Sequence, residues 1–274
     1  MGCITIYSED YDTTPMNEPA SHFTPVEVAP YEKLAGIYNE AMSHIDYAGW
    51  VGYLEDLCNQ LGIHPKLTLD ISAGTGNTVP FMQPWCGELY CMDLSLPMIR
   101  VLYHRFPELR ARTWVGEMSA LATNLTFDLI VNLQDSVNYY TEISKIQSHL
   151  DTIYTTLRPS GTYIFDFSTE NNVKNNFIDL HEIYENEHHG YERLNTYFSR
   201  QKLNLTEFRI WQEQDGKRSA YLEKHLQRMY DLDEIVSCLE SSPFDSWDLF
   251  EDETFDQPTK HAERVHVVAR RNPS

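Results

Sequence analysis

Strands and helices alternate through the middle of this sequence, and that alternation restricts the fold more than any other feature. Short apolar runs are separated by segments in which apolar residues recur at helical spacing. Since strands joined by helices lie parallel, with helices on both faces, the pattern predicts a doubly wound α/β sheet. The apolar runs cover residues 67–71, 88–92, 111–115, 127–133 and 161–167, and the helical segments lie near 76–83, 96–105 and 142–157.

Residues on either side of this core follow other patterns. Residues 1–28 are acidic, contain three prolines and show no periodicity, which predicts a flexible arm. Helical spacing between Pro30 and Gly62 predicts two helices. Residues 169–226 contain segments in which apolar and polar residues alternate, with the turn dipeptide Asp215-Gly216 between two of them. This pattern predicts an antiparallel hairpin inserted into the parallel scaffold. A helix from residue 231 and strands at 246–250 and 264–270 follow.

The charge balance and the cysteines exclude several classes of partner. The 21 Lys and Arg residues against 41 Asp and Glu give a formal net charge of -20, without a basic patch, so neither nucleic acid nor a membrane is an expected partner. The sequence contains no run of about 18 apolar residues, so it predicts no membrane span. The five cysteines lie mostly in apolar runs without C-x-x-C spacing, which predicts reduced, buried thiols in a cytoplasmic protein.

The segment LTLDISAGTGNT, residues 67–78, predicts a ligand site at the end of a strand. The strand ends at Asp70 and breaks into a glycine-rich turn, which brings backbone N–H groups close to a bound molecule. A nicotinamide dinucleotide is disfavoured, because Val79 stands where its fingerprint has a third glycine and because Asp70 repels phosphates. The same carboxylate suits a ligand that carries an ammonium group.

A second acidic residue, Asp93, ends the next predicted strand. A carboxylate at this place can accept hydrogen bonds from both hydroxyls of a ribose. Alternatively, Asp93 caps the helix that begins near Leu96. Together with Asp70 and the glycines, it favours a cofactor of the adenosine type.

Taken together, these motifs resemble those of class I S-adenosylmethionine-dependent methyltransferases of the small-molecule type, such as the glycine and sarcosine N-methyltransferases. The resemblance covers residues 30–270 and includes the glycine loop 70–76, an adenine loop at Glu117-Met118, FDLIVNLQDSVNYY at 127–140 and LRPSGTYIFDF at 157–167. It implies a Rossmann-like, seven-stranded, mostly parallel sheet whose antiparallel last strand is 264–270. Glu117 stands where the family most often has Asp, and Ser72 where it often has Gly or Ala.

The resemblance also implies which residues bind S-adenosylmethionine and its product S-adenosylhomocysteine. On the N-terminal helices it indicates two tyrosines that close over the methionine end, whereas Tyr47 is expected to pack in the core. The predicted cofactor-binding residues are Tyr31, Tyr38, Asp70, Ser72, Ala73, Gly74, Gly76, Asp93, Leu94, Met98, Gly116, Glu117, Met118, Leu133 and Gln134.

Three residues are candidates for catalysis. Asp135 and Tyr139 leave the sheet beside the expected sulfonium, although Asp135 and Ser136 could instead cap a turn. His225 alternates with Tyr221 and Glu223 on one face of the inserted hairpin, and Arg228 follows as a possible holder of an acidic substrate group. Such a face either forms a wall of the acceptor pocket or is an ordinary exposed strand face.

No metal site is expected. If residues 181–189 were helical, His181, Glu185 and His188 would share a face. The segment instead has the pattern of a strand and turn, and its spacing is not H-E-x-x-H.

The expected function is therefore methyl transfer to nitrogen or oxygen of a small-molecule acceptor. Carbon methylation, or binding of S-adenosylmethionine without methyl transfer, are the alternatives, and the oligomeric state is left open. The chain divides into an acidic arm at 1–28, a cofactor-binding core with N-terminal lid helices at 29–168, an inserted substrate-side segment at 169–226 and the C-terminal part of the core at 227–274.

Overall fold

Two β-sheets form the architecture. The computed structural model describes residues 3–6 (backbone only), 24–214 and 216–273. The strands are β1 (Cys3–Ile6), β2 (Val26–Val28), β3 (Leu67–Asp70), β4 (Glu88–Asp93), β5 (Thr113–Val115), β6 (Phe127–Asn132), β7 (Leu157–Ser168), β8 (His181–Glu185), β9 (His189–Phe198), β10 (Leu203–Gln214), β11 (Lys217–Arg228), β12 (Ser246–Glu251) and β13 (Arg264–Arg270). The helices are α1 (Tyr38–Ala41), α2 (Tyr47–Gln60), α3 (Val79–Met82), α4 (Leu96–Arg105), α5 (Ile143–Thr156), α6 (Glu170–Asn176) and α7 (Leu232–Glu240), with 3₁₀ turns at Leu34–Gly36, Pro107–Arg112 and Ser136–Tyr139.

The larger sheet confirms the predicted fold class. Its described strands run in the order β12-β13-β7-β6-β3-β4-β5. The strands from β3 to β7 pair parallel, whereas β13 pairs antiparallel with both β7 and β12. The antiparallel strand predicted at 264–270 is therefore confirmed in its place and direction.

Apolar side chains cover both faces of the larger sheet. On one face, Leu150 of α5 and Ile235 of α7 pack around Phe165. On the other, Leu54 of α2 and Val79 of α3 pack around the neighbouring Ile164. Because both faces are buried, the strands are continuous apolar runs in the sequence, and these runs located them.

The second sheet contains the predicted insertion. Its order is β1-β8-β9-β10-β11-β2, and β10 and β11 form the predicted antiparallel hairpin, although Asp215 in its turn lies outside the described residues. At one edge β1 pairs with β8, and at the other β2 pairs parallel with β11. The predicted flexible arm is thus wrong for its segments 3–6 and 26–28, which are strands; residues 1–2 and 7–23 lie outside the described part. Strands of three or four residues are too short to show a period, and their order depends on backbone hydrogen bonds to a longer neighbour.

The first of the two N-terminal helices is shorter than predicted. Among the described residues, one α-helical turn, α1, precedes α2, which begins after Asp46, whose side chain accepts a hydrogen bond from the Gly49 N–H. The chain leaves α2 through Gly62 at a φ of 69°. Among the described helices, none has the length and apolar character that crossing a membrane requires.

Candidate active site

A cavity of about 670 Å³ opens at the carboxyl edge of the larger sheet. Strands β3, β4 and β6 are parallel and end at this edge, so the loops that follow them form the cavity floor. The volume lies in the range of sites that bind cofactors and other small molecules. All predicted cofactor-binding residues except Gly76 line the cavity.

The glycine turn after β3 gives the cavity its open floor. Gly74 has a φ of 55°, and a Cβ there would meet no atom within 4 Å, while its N–H donates to Asp93 at 2.8 Å. Gly76 has a φ of 79°, and its Cβ would come within 2.9 Å of the Phe106 ring. Gly74 thus faces the cavity, whereas Gly76 makes room for a packed aromatic ring and does not reach the ligand space.

Asp70 is a buried carboxyl group at the base of the cavity. It accepts hydrogen bonds from the Ser72 N–H at 3.0 Å and the Thr78 hydroxyl at 3.2 Å. Burial raises the pKa of Asp70 to about 7, although these two hydrogen bonds lower it in part. Near neutral pH the group is therefore divided between its charged and neutral forms, and a cation in the cavity would favour the charged one.

Asp93 lies across the glycine turn from Asp70. Its oxygens accept from the N–H groups of Gly74 and Ser95, each at 2.8 Å. Burial raises the pKa of Asp93, and the two N–H donors offset part of that rise. The N-cap of α4 is Ser95, whose hydroxyl accepts from the Met98 N–H, so the alternative role of Asp93 as the helix cap is wrong.

Apolar and loop residues form the mouth of the cavity. Leu94 is 70% exposed and Leu96 44% exposed, and both line the open space. On the facing side, Met118 is held through its carbonyl, which accepts from Nδ1 of the buried His149 at 2.9 Å. Burial lowers the pKa of His149 to about 4, so this imidazole is neutral at physiological pH. An apolar, planar ligand group would cover the exposed leucines.

The chain is strained where it leaves β6. Gln134 and Asp135 have φ values of 60° and 48°, a left-handed conformation that is uncommon for consecutive residues other than glycine. The side-chain Nε2 of Gln134 is buried and has no hydrogen-bond acceptor among the described residues. Gln134, which lines the cavity, thus has an unsatisfied donor.

A second cavity of about 190 Å³ lies behind that wall, between the two sheets. Four residues line both cavities and form the partition between them: Tyr31, Tyr38, Gln134 and Tyr139. Of the predicted catalytic residues, Tyr139 lies in the partition, whereas Asp135 and His225 line only the second cavity.

A hydrogen-bond chain runs from the partition into the second sheet. The Tyr139 hydroxyl is 2.6 Å from that of Tyr31 and 2.9 Å from Nδ1 of His225, which is 4% exposed. Nε2 of His225 is 3.3 Å from the carboxylate of Glu223. A carboxylate accepts, so Nε2 carries the proton, and Nδ1 accepts from Tyr139, which in turn accepts from Tyr31.

Glu223 is the fixed end of this chain. It is fully buried and accepts from the backbone N–H groups of Tyr31, Lys33 and Leu34 at 2.6–2.9 Å. Burial raises the pKa of Glu223, but the hydrogen bonds from His225 and the backbone outweigh it, so the pKa lies below its ordinary value. The group is therefore a carboxylate, and it stabilises positive charge on His225.

Asp135 is engaged with other partners. Its carboxylate accepts from Arg264 at 2.8 Å and from Gln227 at 2.7 Å, and Arg264 also binds Asp166. It makes no side-chain cap for the 3₁₀ turn that follows, so the capping alternative is wrong for Asp135. Each carboxylate oxygen of Asp135 is thus held by a neighbouring side chain, and these contacts fix the strained turn.

Two further residues differ from their predicted places. Tyr47, expected in the core, lines the first cavity, and its buried hydroxyl has no partner among the described residues. Arg228 pairs with Glu234 at 2.6 Å and lines neither cavity.

Residues 181–185 form the strand β8 rather than a helix. The described residues contain no group of three or more His, Cys, Asp or Glu placed to hold a metal ion.

Comparison with known protein sequences finds methyltransferases. A family model described as a methyltransferase domain matches residues 68–161. A protein of Geobacillus sp. (strain WCH70), provisionally named a methyltransferase, is 24% identical over 257 residues, which cover 88% of this chain and 99% of that protein.

Solved structures share the fold. An S-adenosylmethionine-dependent methyltransferase from Clostridium acetobutylicum ATCC 824 superposes with a TM-score of 0.74 at 22% identity, covering 88% of this chain and 99% of its own. CalS10, an amino pentose methyltransferase from Micromonospora echinaspora solved with S-adenosylmethionine bound, gives a TM-score of 0.67 at 16% identity, with coverage of 86% and 97%.

Proposed function

We propose, from the premise that this chain is a class I S-adenosylmethionine-dependent methyltransferase, that it methylates nitrogen or oxygen of a small metabolite. One observation above all supports the proposal: the Tyr139 hydroxyl lies in the partition between the two cavities and is hydrogen-bonded to the buried His225. Nitrogen and oxygen nucleophiles lose a proton during methylation, and a proton acceptor at this place can take up that proton.

The first cavity fits the cofactor. S-adenosylmethionine supplies, when bound, a methyl group on a sulfonium sulfur, which a nucleophile displaces in line. Asp70 would attract the cationic methionine end, Asp93 has lone pairs left for ribose hydroxyls, and the exposed Leu94 would pack on the adenine. The open space over Gly74 lets backbone approach the ligand closely.

The second cavity is the proposed acceptor site. Its volume of about 190 Å³ is below the range of drug-sized pockets, which favours a small molecule. It adjoins the first cavity through Tyr31, Tyr38, Gln134 and Tyr139, so an acceptor there can point its nucleophile across the partition. CalS10 is an amino pentose methyltransferase, which supports a small acceptor.

The hydrogen-bond chain provides a path for the acceptor's proton. Tyr139 accepts the proton that the amine or hydroxyl loses as the new bond forms, and passes its own to Nδ1 of His225. The imidazolium that results lies 3.3 Å from the Glu223 carboxylate, which stabilises it. Burial raises the pKa of Tyr139, so its hydroxyl stays neutral and acts as a relay rather than as a phenolate.

The cofactor assignment is tested by titrating S-adenosylhomocysteine calorimetrically. We expect Asp93→Ala to weaken binding by about 1.5–3 kcal/mol, because a buried charge-assisted acceptor is lost. Asp151→Ala, an exposed change on α5, is the matched control and should bind as wild type. An Asp93→Ala affinity within about twofold of wild type would remove this residue from the cofactor site.

The proton path is tested by turnover, measured as S-adenosylhomocysteine release with a panel of small amines and alcohols. We expect His225→Ala to keep the affinity for S-adenosylhomocysteine and to lower kcat about 100-fold or more. Tyr139→Phe, which breaks the relay but keeps the ring, should show a similar loss. Unchanged kcat in both variants would mean that the proton leaves by another route.

A further inference from the structure

Every second side chain along β8 to β11 lies on one face of the second sheet. This face lies toward the larger sheet. In register across the four strands, Glu182, Arg193, Phe208 and Glu223 form one row. Two residues along, Asn195, Thr206 and His225 form the next row. Arg193, Phe208, Thr206 and His225 all line the second cavity, so this face is one of its walls.

Arg193 has an unusual environment in this wall. Its guanidinium lies between two aromatic rings, 5.4 Å from the centre of Phe177 and 5.5 Å from that of Phe208. Its Nε is buried and donates to no atom of the described residues. The nearest carboxylate, on Glu182, is 3.6 Å from Nη1, outside hydrogen-bond distance, and it already accepts from the Tyr191 hydroxyl through its other oxygen.

The other arginine of the second cavity differs in this respect. Arg264 donates to both Asp135 and Asp166, so its donors are used within the protein. A buried guanidinium donor without an acceptor is costly unless a ligand satisfies it. Of the two arginines, Arg193 is therefore the one whose donors remain for a ligand.

We infer that Arg193 binds an acidic group of the methyl acceptor, a carboxylate or a phosphate, an inference that rests on the proposed methyl transfer. The planar fork of a guanidinium matches the two oxygens of such a group. The two neighbouring rings make the surroundings of the guanidinium less polar than water, which strengthens the interaction.

The register of the sheet places the acidic group away from the reacting atom. Arg193 and His225 are two strands apart and one row apart, which separates their Cα atoms by roughly 12 Å. Both side chains converge on one cavity of about 190 Å³. The acceptor is therefore a small molecule with its amine or hydroxyl at the partition and its acidic group at the opposite end.

Anion binding tests this inference without requiring that the acceptor be known. The protein is saturated with S-adenosylhomocysteine and titrated calorimetrically with sodium acetate and, separately, with sodium phosphate at constant ionic strength. We expect one of the two anions to bind with a dissociation constant in the millimolar range. The anion that binds shows whether the acidic group of the acceptor is a carboxylate or a phosphate. Arg193→Met, which keeps the apolar stem, should weaken that binding at least about tenfold, and Arg193→Lys by less.

Arg209→Met is the matched control. Arg209 adjoins Phe208 on β10 but lies on the opposite face, where it is 52% exposed and pairs with Glu192, so its loss should leave anion binding unchanged. Wild-type protein that binds neither anion, or Arg193→Met that binds as wild type, overturns the inference. If S-adenosylhomocysteine still binds and turnover still depends on His225, the proposed function stands; without binding of S-adenosylhomocysteine, the proposed function itself fails.

Discussion

The carboxyl group of Asp70 makes cofactor binding depend on pH. Its pKa is raised to about 7 by burial, so acidification below pH 7 neutralises it. The neutral form no longer attracts the cationic amine of S-adenosylhomocysteine. We expect the affinity to fall as the pH is lowered from 7.5 to 5.5, by up to about tenfold per unit, the limit for one linked proton. Calorimetric titration across this range measures it.

Asp70→Asn is the control for this prediction. The amide keeps the shape of the side chain but carries no charge at any pH. We expect weaker binding with a flatter pH dependence, so a slope equal to that of wild type would assign the effect to another group. Asp93 would then be the first candidate for the titrating group, because burial also raises its pKa.

Residues of the first cavity could be predicted because their partners are close in sequence. Asp70 bonds to Ser72 and Thr78, and Gly74 to Asp93, all within one strand-turn-helix unit or its neighbour. The sequence placed Glu223 on one face with His225, but it did not indicate the contact of Glu223 with the N-terminal segment, because those N–H groups lie 189–192 residues earlier in the chain. A pairing over that distance depends on how the two sheets dock, which local pattern does not encode.

At the scale of elements, capping decides how well a helix is predicted. Helix α4 has the predicted bounds because Ser95 caps it and Pro97 fits its first turn. Helix α7 likewise begins with a capping box of Asp231 and Glu234. In place of the helix predicted from Pro30 the chain has a 3₁₀ turn and one α-helical turn; Tyr31 has a left-handed φ of 64°, and Glu223, on β11, accepts from the N–H groups of Tyr31, Lys33 and Leu34.

Glu223 therefore links β11 both to the N-terminal segment and to His225. We expect Glu223→Gln to lower the free energy of unfolding by about 1–3 kcal/mol, since an amide nitrogen would face N–H donors. It should also lower kcat, because the imidazolium of His225 loses its neutralising carboxylate. Urea unfolding and turnover at a temperature where the variant is folded measure the two effects.

Glu213→Gln is the matched change in the neighbouring strand β10, where the side chain is exposed. It should alter neither stability nor turnover. If Glu223→Gln unfolds more easily but keeps the kcat of wild type, Glu223 holds the N-terminal segment without acting on His225.

At the scale of the whole molecule, the two sheets differ in how far the sequence predicts them. Burial on both faces gives the larger sheet its apolar runs, and the antiparallel strand followed from the resemblance. The second sheet takes its edge strands from the N-terminal segment, through backbone pairing of β1 and β2. Backbone hydrogen bonds carry no side-chain pattern, so the hairpin and the strand near residues 181–189 were foreseeable, but the edge strands β1 and β2 were not.

At the scale of the whole molecule, two buried histidines lower the stability in acid. Burial lowers the pKa values of His149 and His266 to about 4, so each contributes stability that is present above pH 6.5 and is lost as the pH falls toward 4. Asp70 acts in the opposite sense, because its raised pKa favours the folded state as the pH falls below 7. Asp93, Asp135 and Asp166 act in the same sense as Asp70, because burial raises their pKa values too.

Replacing one histidine should change this balance measurably. His149 donates to the Met118 carbonyl and is 2.6 Å from the Tyr163 hydroxyl, contacts that a glutamine amide can approximate without titrating. Because one linked proton corresponds to about 1.4 kcal/mol per pH unit, we expect His149→Gln to reduce the slope of unfolding free energy against pH between 5 and 6 by about that amount. Urea unfolding at several pH values measures both slopes. Parallel curves for the variant and wild type would show that His149 is not the group whose protonation destabilises the fold.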